Sequence, residues 1–165
     1  MSEIKKRIIE RTEIRSMDLI TYGHGNSYCE ELFVPVKNAE YLKPLGGLWA
    51  SPVGCEYGWK KWGELNNFGD FSTSFWTHYE GRTLTIDSYR DLEAVIWKNG
   101  GKMNLFSARY PDYEAMFASG VDAIYLTEAG EEETRFTDPG LYGWDCECVF
   151  VMNPKCLSKI KKESS

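Results

Sequence analysis

Apolar and polar positions alternate with period two over several short stretches of the chain, and only a few windows carry the three-to-four spacing of a helix. Asp18 to Gly25 reads as a strand running into a glycine-flanked turn, with His24 at its end. The run from Glu31 to Val36 has strand composition but is broken by Pro35. Leu48 to Ser51 predicts a short strand that Pro52 stops. Phe71 to Tyr79 and Arg82 to Ile86 predict two further strands joined by a turn at Glu80-Gly81. Val121 to Leu126 predicts another. The last is Trp144 to Pro154, whose alternation puts Asp145, Glu147, Val149 and Val151 on one face and Trp144, Cys146, Cys148, Phe150 and Met152 on the other.

The helical windows are short. Ser2 is positioned to cap a helix carrying Ile4, Ile8 and Ile9. Ser88, with Asp91 three residues later, predicts a capped helix with Leu92, Val95 and Ile96 as its buried stripe and Gly100-Gly101 as its stop. Pro111 to Gly120 predicts a third, with proline at its start. Trp59 and Trp62 are spaced as on one helical face; together with Tyr57 and Phe68 they read first as a roof over the core and second as a ligand-stacking wall. Glu131 to Glu133 reads as a solvated acidic loop, and the basic end of the chain as a fraying tail.

These elements define an α+β chain, and 165 residues suit one domain, with an ordered core over about 14–157 and a basic tail over 158–165. No stretch approaches the roughly 20 apolar residues of a membrane span, and no basic start leads into an apolar leader, so a membrane partner is not expected. The five cysteines are odd in number and contain no CxxC pair, which speaks against a disulfide framework or structural zinc and for a reducing, cytoplasmic setting with no metal. A net charge of −6 speaks against general binding to a nucleic-acid backbone.

Familiar catalytic motifs are absent: no Walker loop, no GxSxG, no HExxH. With five cysteines and two histidines, a Cys-His pair on paper has no weight. The feature that stands out is Glu147, a carboxylate written into an apolar strand, because a buried charge without a partner is expensive. His24 and Ser51 join it as polar residues at strand ends, although a histidine between glycines is ordinarily a turn residue and a serine before proline a strand-ending turn.

Several of these segments resemble motifs of ADP-ribosyltransferase domains of the diphtheria-toxin and poly-ADP-ribose-polymerase type. Tyr22-Gly23-His24-Gly25-Asn26 is similar to their opening Tyr-His-Gly-Thr strand, and Gly46-Gly47-Leu48-Trp49-Ala50-Ser51 to their glycine-led second motif. Asp122-Ala123-Ile124, followed by Glu147 to Pro154, resembles the closing pattern of phage and mobile-element members. The resemblance spans about residues 18–157. It departs in the glycine inserted before His24 and in Asn26, while Ser72-Thr73-Ser74 and Asp145-x-Glu147 resemble the arginine-first, cholera-toxin-like branch, whose first-strand arginine would be Arg15.

The resemblance implies split antiparallel or mixed β-sheets with a few short helices, and cleavage of the nicotinamide–ribose bond of NAD, with NAD as substrate and an unknown acceptor such as a protein. In that chemistry Glu147 faces an oxocarbenium-like transition state and Asp145 orients the acceptor. His24 and Gly25 hold the cofactor and Ser51 braces the pocket, while Trp49, Tyr57, Trp59 and Phe75 form the aromatic wall. The alternative is a catalytically inactive module that keeps the fold and binds a nucleotide or a protein through its aromatics.

Overall fold

The computed structural model describes residues 2–39, 43–100, 109–141 and 143–161. Chain order begins with helix α1 (Glu3–Glu10), whose N-cap Ser2 accepts a hydrogen bond from Lys5 N as its sequence predicts. Strand β1 (Glu13–Tyr22) and strand β2 (Leu48–Pro52) follow, then helix α2 (Trp59–Asn66), carrying Trp59 and Trp62. Next are β3 (Ser74–Ile86), β4 (Trp97–Asn99), β5 (Arg109–Pro111), helix α3 (Tyr113–Ala118) and β6 (Ala123–Leu126). The chain closes with helix α4 (Glu128–Thr134), β7 (Cys148–Val151) and β8 (Leu157–Ile160).

The α+β class therefore holds. The main sheet runs β1-β2-β7-β6-β3-β8, and β1 also pairs with β3, so five strands close into a barrel that carries β8 on its outside. Every pairing is antiparallel except β3 with β6. Period-two alternation then sorts the side chains. Leu19, Ala50, Tyr79, Ala123, Val149 and Val151 fill the barrel. A second core lies outside it, under the helices, around Ile86, Met116, Leu126, Trp144 and Phe150. Closure removes the open edges of those five strands, while β8 and the β4–β5 pair stay outside it.

Several expected elements differ. The turn at Glu80-Gly81 does not form: β3 is one strand of 13 residues, with Gly81 opposite Arg15. Glycine is there for room, since a Cβ would lie 2.8 Å from Cys156 Sγ and 2.9 Å from the Tyr79 hydroxyl. Glu31 to Val36 forms no strand; residues Glu30–Leu32 make a 3-10 turn and only Lys37 bridges to Leu45, as Pro35 has no N–H to give a ladder. The helix expected from Ser88 carries its capping box but ends as a 3-10 helix at Ala94. Beyond it, pairing of Trp97 with Pro111 extends the chain into β4, so Gly100 is not its stop and Gly101 lies outside the described residues. That pairing also puts Pro111 in β5, leaving Asp112 as the cap of α3.

Near the C-terminus, Glu131 to Glu133 is part of α4, not a loop: Thr127 caps it, and Glu131 is buried against Arg135 at 3.0 Å. The last long strand is shorter than expected, because Trp144 to Glu147 leave the ladder for other partners. The expected fraying tail instead pairs Leu157–Ile160 with Tyr79–Trp76 of β3, and its residues 162–165 lie outside the described residues. Among the described residues, no helix is long and apolar enough to cross a membrane.

Candidate functional site

Glu147 sits just before β7, at one mouth of the barrel. Its N–H donates to the Tyr57 carbonyl at 2.9 Å, and its own carbonyl accepts from the Ser51 hydroxyl at 3.0 Å. Ser51 Oγ in turn accepts from the N–H of Trp59 at 3.0 Å, so Ser51 fastens β2, α2 and the entry to β7 together. On the inner face the Glu147 carboxylate accepts a hydrogen bond from the hydroxyl of Tyr125 on β6. The guanidinium of Arg15 lies over the Tyr125 ring, 5.2 Å from its centroid, and Arg15 Nε donates to Glu13 at 2.9 Å and to Thr85 at 3.0 Å. Burial raises the Tyr125 phenol, and the Glu147 carboxylate beside it raises it further. Burial and the same carboxylate push the Cys55 thiol up to about 12. The charge in the apolar strand thus has partners: a phenol directly and an arginine one ring away.

The aromatic residues gather elsewhere. Two adjoining clefts share His24 and Trp49. One, of about 360 Å³, is lined by Tyr22, His24, Lys43, Trp49, Trp59 and Trp62 among others. The second, of about 410 Å³, has His24, Tyr28, Trp49 and Phe75 in its wall. His24 is set at the shared rim by Gly23 and Gly25, both in the left-handed region with φ of 79° and 89°, which glycine alone adopts freely. Gly25 N donates to the Thr73 hydroxyl at 3.2 Å, which ties the turn to the start of β3. Lys43 Nζ lies 4.4 Å from the Trp59 ring centroid and 5.5 Å from that of Trp49, a cation held by two indole faces. Two buried donors in these walls, Trp59 Nε1 and the Tyr28 hydroxyl, have no partner among the described residues.

Asp145 stands behind Lys43, at 3.8 Å, and pairs with Arg135 at 3.3 Å. Burial raises its carboxyl above the usual range, with Lys43 and Arg135 opposing. Burial likewise raises Glu131, opposed by Arg135. Tyr57 is raised by burial and then by the charge of Glu131, and its side chain packs against the outer core.

The expected triple of His24, Ser51 and Glu147 does not converge. The β2–β7 ladder reaches Ala50 and Val149, and the next residues of β2, Ser51 and Pro52, pair with Ile20 and Leu19, whereas His24 stands two residues past the end of β1 at Tyr22. At about 3.3 Å per residue, the three residues from Leu19 to Tyr22 alone span roughly 10 Å along the strand. The faces differ as well: Ser51 and Trp49 point to the outer core, whereas Glu147 shares the inner face with Val149 and Val151. What does come together is His24, Trp49 and Trp59 in one cleft, Phe75 in the next, and Asp145 behind the wall through Lys43. Tyr125 and Lys43 have no motif to mark them in the sequence. The first reads as an ordinary core strand residue, the second as one of many surface lysines.

Fold and geometry together define an α+β barrel with two separated polar features: a carboxylate–phenol–arginine group at one mouth and an aromatic, lysine-bearing cleft near the other. The chain matches no family model, no curated protein and no solved structure.

Proposed function

We propose that this chain is an ADP-ribosyltransferase-like domain that binds NAD or a related nucleotide in the aromatic cleft as a binding module. The observation that carries this reading is the wall of Trp49, Trp59 and His24 with the Lys43 ammonium beside it. Indole faces accept a planar ring, and an ammonium accepts a phosphate. The unpartnered Nε1 of Trp59 offers a buried donor to a ligand's acceptor, worth more there than at a wet surface. The Glu147 carboxylate turns to Tyr125 on the inner face of the barrel and does not line the cleft, which favours binding over turnover, since a carboxylate stabilises a developing ribosyl cation only at contact distance. The test is a titration with NAD followed by tryptophan fluorescence. Trp59→Ala is expected to weaken binding about 10- to 100-fold, as loss of a stacking partner typically does, and Glu147→Ala to leave it unchanged. Equal affinity in wild type and Trp59→Ala overturns the assignment.

A second reading, an NAD-cleaving transferase or glycohydrolase, is favoured by one specific observation. Arg15, the candidate first-strand arginine of the cholera-toxin-like branch, shares the barrel mouth with Tyr125 and Glu147. Nicotinamide accumulating beyond one equivalent in the wild type and not in Glu147→Ala selects this reading. The acceptor then remains to be found by mass spectrometry of modified products.

A further inference from the structure

On the outer face of the barrel, away from both features above, β1 and β3 pair Asp18 with His78 and Ser16 with Glu80. Residues of even number on β1 share that face, so Ser16 and Asp18 both reach the imidazole of His78 from the neighbouring strand. His78 Nδ1 lies 2.8 Å from Asp18 Oδ1, and Ser16 Oγ lies 3.0 Å from His78 Nε2. An ionised carboxylate only accepts, which places the proton of the neutral ring on Nδ1 and leaves Nε2 to accept from the Ser16 hydroxyl. From these contacts we infer that Ser16, His78 and Asp18 form a nucleophilic triad that accepts an acyl group from small activated esters.

The roles follow from the arrangement and not from chain order. Ser16 Oγ attacks the ester carbonyl carbon while its proton passes to His78 Nε2. The bond from carbonyl to leaving oxygen breaks, and that oxygen takes the proton from His78. Water, deprotonated by the same nitrogen, then attacks the acyl carbon and returns Ser16 to its hydroxyl form. Asp18 is a positioning residue that fixes the ring.

An oxyanion donor is also at hand. The Asp18 carbonyl accepts from Val53 N, so the N–H and C=O groups of even-numbered β1 residues point toward β2. Among the described residues the β1–β2 ladder covers only Leu19 and Ile20, so the N–H of Ser16 lies beyond the end of β2, where it can bond a developing oxyanion at the nucleophile itself. Two residues away on the same face, Ile14 is 63% exposed and gives an acyl chain an apolar surface. Glu80, opposite Ser16, disfavours esters that carry a carboxylate. The open face fits small, neutral acyl groups.

The experiment uses the full chain with p-nitrophenyl acetate. The expected result is an acetyl group on Ser16, mapped by peptide mass spectrometry after acid quench, and hydrolysis about 100-fold faster than in Ser16→Ala, the scale of assisted catalysis by one positioned base. His78→Asn is expected to lose the Ser16 label while keeping the wild-type melting temperature within a few degrees. Acetyl found only on lysines, or equal rates in wild type and Ser16→Ala, overturns the proposal and leaves the three residues as a cross-strand hydrogen-bond row.

Discussion

The hydroxyl of Tyr125 on β6 donates to the carboxylate of Glu147 across the barrel mouth, and this one contact gives a carboxylate at the edge of an apolar strand its partner. The phenol supplies a donor without a second charge, so the desolvation of the carboxylate is offset by a strong charge-assisted bond. Tyr125→Phe removes the donor and leaves the ring in place under Arg15. The expected loss is about 1–3 kcal/mol, the cost of leaving a half-buried acceptor unsatisfied, read as a lower urea midpoint at unchanged slope. A Tyr125→Phe variant as stable as wild type shows that water replaces the phenol fully and that the contact contributes little.

Gly81 marks where β3 passes closest to its surroundings. A methyl group there would meet Cys156 Sγ at 2.8 Å, the Tyr79 hydroxyl at 2.9 Å and Asp122 Cβ at 3.0 Å. These neighbours belong to β3 itself, to the turn before β8 and to the entry of β6, and the Tyr79 side chain is fully buried, so it has little room to give way. Gly81→Ala is expected to destabilise by about 1–3 kcal/mol, the usual range for overpacking, despite the higher strand propensity of alanine. Thermal unfolding checks this, and a melting temperature equal to or above wild type contradicts it.

The same glycine shows where the sequence misleads. Glu80-Gly81 between two alternating runs is the ordinary signature of a hairpin, but at this position glycine serves close packing with residues 41 and 75 positions away, which no local window contains. Local signals carried well where the chemistry was local: the Ser2 cap and the capping box at Ser88 appear as read, and the strand from Leu48 forms, although it takes in Pro52, which pairs with Leu19, where the sequence placed its stop. The site was legible in part. His24, Trp49 and Trp59 were found by their residue types and do share a cleft. Lys43 and Tyr125 were not found, because their roles come from contacts across the fold, to Asp145 and Trp59 for one and to Glu147 for the other. The supposed convergence of His24 with Glu147 failed for a reason of register: motif order along the chain says nothing of which end of a strand, or which face, each residue occupies.

Asp145 gives the molecule a measurable response to acid. Its side chain is 14% exposed, and burial raises its carboxyl above the ordinary 3.8, with Lys43 and Arg135 opposing only in part. A carboxyl that holds its proton more tightly in the folded than in the unfolded chain adds stability below the unfolded value, and that contribution is lost as pH rises through the folded value. Asn at this position does not titrate, so the stability difference between wild type and Asp145→Asn isolates the effect, with the other carboxylates cancelling to first order. The difference is expected to shift in favour of wild type as pH falls from about 7 to about 4, across the window between the folded and unfolded values. Urea unfolding of both proteins at several pH values measures it. A difference that stays constant, or moves in favour of Asp145→Asn on acidification, shows that Lys43 and Arg135 outweigh burial and hold the carboxyl at or below its ordinary range.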